Sequence, residues 1–404
     1  MWNSITDGHG AVTARPTWLE ARAIAASAGA GAMLPPEPVA LDRAVGRRLV
    51  DDLVTPIDLP HFASAAMDGW FVVGDGPWRV VTAGATAPAG GQAWPIVTGA
   101  PVPDAPEPGL PIAVLRSESG VVEDGLLRST VAAEPRPDHH IRRPATEAGR
   151  GELLIAAGTL LNPAHVALAA ATGADELTVQ AVPSVALVFT GDEVVTEGVP
   201  PTGRVRDSFG VQFPALVRML GGRVTGAVRV PDHHDETVAA LRDSRADVVI
   251  TTGGTGGSSA DHVRAALLAL DAHLLVDGVA MRPGGPTRIA RLPDGRLVVA
   301  LPGNPLAAMV AAITLVEPLL AGLAGREPVP TRVVRGTDVE GRAGTTVLAP
   351  YTDVGGRAVV AAWRGAAMLR GLAGATGLLV VPHEGEPLSL PLPWPISTGS
   401  PVEI

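Results

Sequence analysis

Three stretches set glycine, hydroxyl and carboxylate groups at spacings that suit an anionic ligand. In TTGGTGGSSAD (251–261), Gly253, Gly254, Gly256 and Gly257 follow an apolar run, and Ser258, Ser259 and Asp261 open a helix-like one. Glycines let backbone amides approach a ligand, and a helix N-terminus adds free N–H groups with partial positive charge, a combination suited to phosphate or another oxyanion. In VFTGDEVV, Thr190, Gly191, Asp192 and Glu193 follow a second apolar run; in ALPGNPLAAMV, Pro302, Gly303, Asn304 and Pro305 follow a third. Alone, the first is equally well read as a tight strand-to-helix turn with a capping Ser, and each of the three is more often a turn than a site; jointly they point to one. The first matches neither the dinucleotide fingerprint, which fails at Ser259, nor a P-loop, which needs Lys.

The elements that must carry these loops alternate. Strand 184–190 leads to helix 211–222, strand 223–230 to helix 235–244, and strand 246–252 to helix 260–270. An Asp-Gly hairpin over TRIARLPDGRLVVALPG and a long apolar helix from Pro305 follow. Such a βαβα series predicts a doubly wound three-layer α/β sheet whose ligands sit at the carboxyl ends of the strands, where the three loops can converge. The flanks have another texture. Residues 17–28 carry apolar positions at helical spacing, whereas 55–140 and 327–404 are short apolar runs cut by Pro and Gly. NPAHVALAAATGADEL (162–177) has Asn at an N-cap, Pro at N1 and Gly173 near its end. The expected organisation is a helical segment at 1–54 joined with 141–181, an inserted β domain at 55–140, an α/β domain at 182–326 and a C-terminal β domain at 327–404.

Composition narrows the chemistry. Among 404 residues there is neither Cys nor Lys, which excludes disulfides, thiolate nucleophiles, Schiff bases and a lysine base. A net charge of −10 argues against a general nucleic-acid or membrane-surface binder, so an anionic ligand must be held by local Arg and backbone amides. The first sixteen residues lack a secretory pattern, and the apolar segment at 305–324 contains Glu317 and Pro318; a cytoplasmic protein with a buried helix is expected. His139-His140 and His233-His234 read as surface pairs without a third ligand.

Taken in order, the motifs resemble the molybdopterin molybdenumtransferase family, the MoeA and gephyrin E-domain group. ASAAMDGW is similar to its N-S-A-M-D-G-Y, VTGAPVPD to its M-T-G-A-P-V-P, and VALVFTGDEVV to its V-A-L-x-S-T-G-D-E-L. GRVRDSFG, VVITTGGTGGSSADH, MRPGGP and LPGNP match its G-x-I-x-D-S-N, glycine-loop, K-P-G-K-P and L-P-G-N-P segments. The resemblance implies a homodimer in which a molybdopterin-binding α/β domain works with the AMDG region of the other subunit. It implies a transferase that inserts molybdenum from molybdate into adenylylated molybdopterin, releases AMP and uses Mg2+ or another divalent cation. Expected partners are the molybdopterin adenylyltransferase or the molybdoenzymes, with no nucleic acid and no membrane.

Carried over position by position, the resemblance makes Asp68, Glu193 and Asp261 catalytic and gives Asp192 and Glu193 to the metal. It assigns substrate contacts to Thr98, Arg142, Arg143, Thr190, Gly191, Asp207, Ser208, Gly253, Gly254, Ser258 and Arg282, and to Pro302, Gly303, Asn304 and Pro305. Asp207 and Ser208 read equally well as an Asx-type helix start. Several positions depart from the family: Gly278 and Gly285 replace lysines, Arg282 the first Lys of K-P-G-K-P, Ser259 a Glu and Phe209 an Asn. Losing two cations from an oxyanion site leaves a second reading open, a relative that binds molybdopterin but has lost or altered the insertion step.

Overall fold

The computed structural model describes residues 4–6, 12–84, 87–255, 262–334, 336–337 and 339–395. The chain divides into two compact units, one of residues 36–180 and one that joins 1–35 to 181–404.

In the larger unit a six-stranded sheet runs in the order Arg223–Arg229, Ser184–Phe189, Val248–Thr252, Leu297–Leu301, Arg288–Arg291, His273–Asp277. The first four strands are parallel and the last two pair antiparallel, so the sheet is mixed. Strands Val248–Thr252 and Leu297–Leu301 are buried at every position, as expected of central parallel strands covered on both faces. Alternate residues divide between two cores. Leu187, Ile250 and Val299 face the core that holds helices Trp18–Ala30, Phe213–Met219 and Pro305–Leu323; Val188, Val249 and Val298 face the one that holds helices His234–Asp243 and His262–Ala269.

Helix Trp18–Ala30 therefore belongs to the α/β body and not to the segment that follows it in sequence. Its Ala21, Ala25 and Ala28 are buried, and Gly29 meets Gly322 of helix Pro305–Leu323 so closely that a Cβ on either would collide with the other helix's backbone. Helix Pro305–Leu323 is long and apolar enough to cross a membrane by composition, yet 94% of its apolar window lies inside the fold.

A second sheet in this unit runs Met281–Arg282, Thr346–Val354, Gly377–Val381, Leu388–Pro391, Arg332–Val333, with Arg357–Val360 paired to Thr346–Val354. The expected C-terminal β layer thus takes a strand from the MRPGGP segment, Met281 and Arg282 lying parallel to Thr346 and Val347. Leu348, Leu378 and Leu390 are continuous with the main α/β core.

In the unit 36–180, a six-stranded sheet runs Gly120–Glu123, Leu126–Ser129, Trp78–Val80, Gln92–Ile96, Gly69–Val73, Ile112–Arg116. Phe71, Trp94 and Val114 pack on one face, and Val72, Ala93 and Leu115 on the other. Helix Pro163–Ala171 starts at Asn162, which caps His165 N–H, and packs with Val39, Leu161 and Leu177 in a separate cluster.

Candidate active site

The α/β sheet reverses its order of growth between Ser184–Phe189 and Val248–Thr252: the chain adds Arg223–Arg229 on one side of the first strand, then Val248–Thr252 on the other. Loops leaving the two strands therefore diverge and open a crevice at their carboxyl ends. Thr190 sits there, buried, its amide and hydroxyl both donating to Thr252 C=O at 3.1 and 3.0 Å. Gly253 follows with φ of 88°, and a Cβ on it would stand 2.5 Å from Thr190 Oγ1. Gly253 N–H donates to Leu301 C=O at 3.2 Å, and Gly303 lies so near that its Cβ would be 3.5 Å from Gly253 Cα. Thr190, Gly253 and Gly303, read from three separate motifs, thus form one backbone junction. Below it the hydroxyls of Thr251 and Thr252 are buried and have no hydrogen-bond partner among the described residues.

Carboxylates gather at the first strand's end. Asp192 N–H donates to Asp232 Oδ2 and Asp232 N–H to Asp192 Oδ1, both at 3.3 Å. His262, buried, places Nε2 3.8 Å from Asp232 Oδ1, and a Cβ on Gly254 would stand 2.6 Å from the same imidazole. The exposed Glu193 folds back over Gly191, where a Cβ would come within 3.1 Å of its Oε2. Among the described residues no three His, Asp or Glu side chains are grouped as a metal cage. Asp192 and Glu193 are both exposed carboxylates, the oxygen-donor type that a hard cation takes.

Asp207 is committed within the chain. Its Oδ1 accepts Phe209 N–H and Gly210 N–H, each at 2.9 Å, and its Oδ2 accepts from Arg229 at 2.7 Å. Burial pushes its carboxyl up, but the Gly210 N–H and Arg229 outweigh it and hold it below the ordinary range. The segment is an Asx turn that lies ahead of helix Phe213–Met219, whose N-cap is Gln212, and the half-buried Ser208 lies within it. Ser258 and Asp261, assigned to the glycine loop, lie outside the described residues.

Beside the junction opens a cleft of about 1480 Å³. Pro302 and Asn304 line it; Asn304 is the N-cap of helix Pro305–Leu323, and its side chain makes no cap hydrogen bond among the described residues. Arg282 lines it too, joined by Arg15, Arg342 and Arg364, with Glu340 as the one carboxylate. None of these four arginine side chains has an ion-pair partner among the described residues. Arg15, Arg342 and Arg364 carried no motif, and only position in the fold reveals them.

In the unit 36–180 three other motifs meet. Thr98 donates to Asp68 Oδ1 through its N–H at 2.6 Å and its hydroxyl at 2.8 Å. Those two bonds, the backbone one first, hold the Asp68 carboxyl below the usual carboxylate range. Gly99 N–H donates to Ala65 C=O, Ala65 N–H to Ala100 C=O, and Arg142 pairs with Ser64 in a two-residue ladder. ASAAMDGW, VTGAPVPD and the segment that carries Arg142 and Arg143 are thereby one assembly. Arg142 is exposed and without an ion-pair partner among the described residues, whereas Arg143 is paired with Asp138. The His139 and His140 rings stack at 4.1 Å and are half-buried, so the expected surface pair is a packed one; burial, then His139, pushes the His140 pKa down.

Comparison with known proteins finds two family matches, a probable molybdopterin binding domain at residues 186–322 and a MoeA N-terminal region (domain I and II) at 17–173. The molybdopterin molybdenumtransferase of Haemophilus influenzae is 30% identical over 301 residues, covering 71% of this chain and 72% of that protein. The enzyme of the same name from a Nostoc species is 33% identical over 324 residues, 74% of this chain and 72% of its own. Two structures of a molybdopterin biosynthesis MoeA protein from Pyrococcus horikoshii share the fold. Their TM-scores are 0.70 and 0.64 at 24% and 22% identity; they cover 94% and 93% of this chain, which spans 99% and 100% of theirs.

Proposed function

The chain belongs to the molybdopterin molybdenumtransferase family of molybdenum cofactor biosynthesis, and on that premise we propose that it transfers molybdenum from molybdate to adenylylated molybdopterin with release of AMP. The observation that carries this reading is the junction of Thr190, Gly253 and Gly303 at the sheet's switch point, opening beside a cleft lined by arginine. Both substrates are oxyanions, and backbone amides, a helix N-terminus and guanidinium groups are what bind oxyanions.

In this reading the pterin phosphate lies over Gly253, Gly254 and Ser258, while Arg282, Asn304 and the start of helix Pro305–Leu323 face the oxyanion being transferred. Cleaving a phosphoanhydride exposes negative charge on the leaving phosphate. Mg2+, when bound, neutralises that charge, and Asp192 and Glu193 would hold it. Asp68, kept ionised by Thr98, serves as an acceptor and not as an acid. We place the protein in the cytoplasm as a homodimer, with Asp68, Thr98 and Arg142 of one subunit completing the site of the other, and with the molybdopterin adenylyltransferase or a molybdoenzyme as partner.

Purified protein supplied with adenylylated molybdopterin, molybdate and Mg2+ should release AMP. Glu193→Gln, isosteric but uncharged, should lower that release at least about a hundredfold while the melting temperature stays put. Wild-type release by the variant removes Glu193 from the mechanism, and no release by the wild type removes the transferase reading.

A further inference from the structure

Within the unit 36–180, the segment 138–142 lies between the loop that carries Asp68 and the edge of the β sheet. Asp138 N–H donates to Ile112 C=O at 2.8 Å and Val114 N–H to His139 C=O at 2.9 Å, along the terminal strand Ile112–Arg116. On its other side Ala66 N–H donates to His140 C=O at 2.8 Å, and Ile141 and Arg142 pair with Ala65 and Ser64. Asp68 C=O accepts Ser117 N–H at 2.9 Å, and Gly69 pairs with Arg116. The 64–69 loop is therefore pinned at Ala66 by His140 and at Asp68 by the residue after Arg116.

His140 is the strained point of this arrangement. Its φ of 58° is left-handed, which a residue with a side chain adopts at a cost, so the contacts on both sides must hold it there. Its ring stacks on His139. Charged groups reach it from the elements packed around it: Arg116 from the strand, Glu118 from the turn that follows, and Glu134 from the segment ahead of it; residues 64–67 contribute none. Both carboxylates are drawn to Arg116, Glu118 at 3.3 Å and Glu134 at 3.5 Å. His140 Nε2 and His139 Nδ1 are shielded from water and have no hydrogen-bond partner among the described residues. A neutral His140 ring can leave a lone pair at Nε2, whereas a protonated one puts an N–H there with no acceptor to receive it. Burial first, then His139 and Arg116, hold the His140 pKa below the ordinary histidine value against the opposing pull of Glu134 and Glu118. The neutral ring's contribution to stability is complete above about pH 6.5, where an unfolded histidine titrates, and is lost as pH falls through the lower folded value.

We propose that His140 is a positioning residue for Asp68: neutral, it seats the 64–69 loop against the sheet edge, and protonated it releases that loop, so that acid disorders the Asp68 side of the site while the Asp68 carboxylate itself stays ionised. What Asp68 does in turnover rests on the molybdenumtransferase reading above; the response of the loop to pH does not.

Nuclear magnetic resonance on the full chain, together with AMP release, tests it. Histidine labelled with 13C at Cε1 and methionine labelled in its methyl group report both ends of the contact, since Met67 lies in the loop and is one of seven methionines. The His140 midpoint should lie below about pH 6.5, and the Met67 signal should shift with the same midpoint. AMP release should fall about tenfold per pH unit below it. Arg116→Gln removes the repelling cation and frees both carboxylates, so the His140 midpoint, the Met67 shift and the acid limb should rise together. Asn tolerates left-handed backbone and does not titrate. In His140→Asn the Met67 signal should therefore hold still over the same range, and the acid limb should vanish when each rate is taken relative to the variant's own at about pH 8. A wild-type Met67 signal that ignores the His140 midpoint overturns the proposal, as does an acid limb that stays put in both variants; should His140→Asn not fold, wild type and Arg116→Gln decide it. If Met67 follows His140 while no protein releases AMP, the role of His140 in seating the loop stands and the transferase reading fails.

Discussion

Asp68 and Thr98 lie thirty residues apart and are joined by two hydrogen bonds to one carboxylate oxygen. The folded pKa lies below that of an unfolded Asp, so this contact stabilises fully above about pH 4 and is lost as pH falls through the lowered folded value. Asp68 therefore stays charged across the neutral range, and an acid limb in AMP release near pH 6 must come from another group. Thr98→Val deletes the hydroxyl bond and keeps the amide one. In a carboxyl 13C titration the Asp68 midpoint should move up toward the unfolded value but not reach it; an unmoved midpoint means that the hydroxyl contributes nothing. Asp68 and Thr98 were legible in the sequence because each sits inside a motif. Arg15 and Asp232 were not, since a lone charge has no spacing to read and each acquires meaning only across the fold, over Gly278 and beside Asp192.

Helix Pro305–Leu323 shows what sequence conveys of an element and what it withholds. Asn304 and Pro305 mark its start, and its apolar run announces burial. Glu317 and Pro318 look like interruptions, yet the helix continues through both because residues Ala312–Val316 widen into a π-turn just before them. Arg22 fills the accompanying polar need: its Nη1 donates to Thr314 C=O at 2.9 Å and its Nη2 to Glu317 Oε2 at 3.3 Å. Arg326 donates to the other Glu317 oxygen at 2.7 Å, and Val329 N–H reaches both. Glu317→Ala takes the carboxylate from the buried Arg22 and the half-buried Arg326, so urea unfolding should report a loss of about 3–5 kcal/mol. A loss below about 1 kcal/mol would mean that water replaces the carboxylate freely. The β elements follow the same division. The Asp294-Gly295 hairpin was readable from its turn, whereas the strand Met281–Arg282 was not, because two residues pair with a strand more than sixty positions away.

For the whole molecule, the texture of the sequence conveyed the α/β and β layers but not the path of the chain among them. Helix Trp18–Ala30 precedes a unit of its own, residues 36–180, and packs with the body that resumes at 181. Alanine and glycine spacing does not say which partner will receive it. The proposed homodimer makes a separate expectation at this scale. Asp68→Ala and Glu193→Ala, each inactive alone, should regain up to about a quarter of wild-type AMP release when their subunits are mixed and exchanged, since each mixed dimer keeps one intact site. No recovery after verified exchange would mean that each subunit works alone.

The discontinuous body also sets an order of events during synthesis. The contact between Gly29 and Gly322 joins segments separated by about 290 residues, which a ribosome adding about 5–20 residues per second needs about 15–60 s to span. Residues 36–180 can settle in that interval. The first helix, with its small-residue face unclaimed, must wait until nearly all of the body has emerged, so the Arg15 segment reaches its place among the last acts of folding.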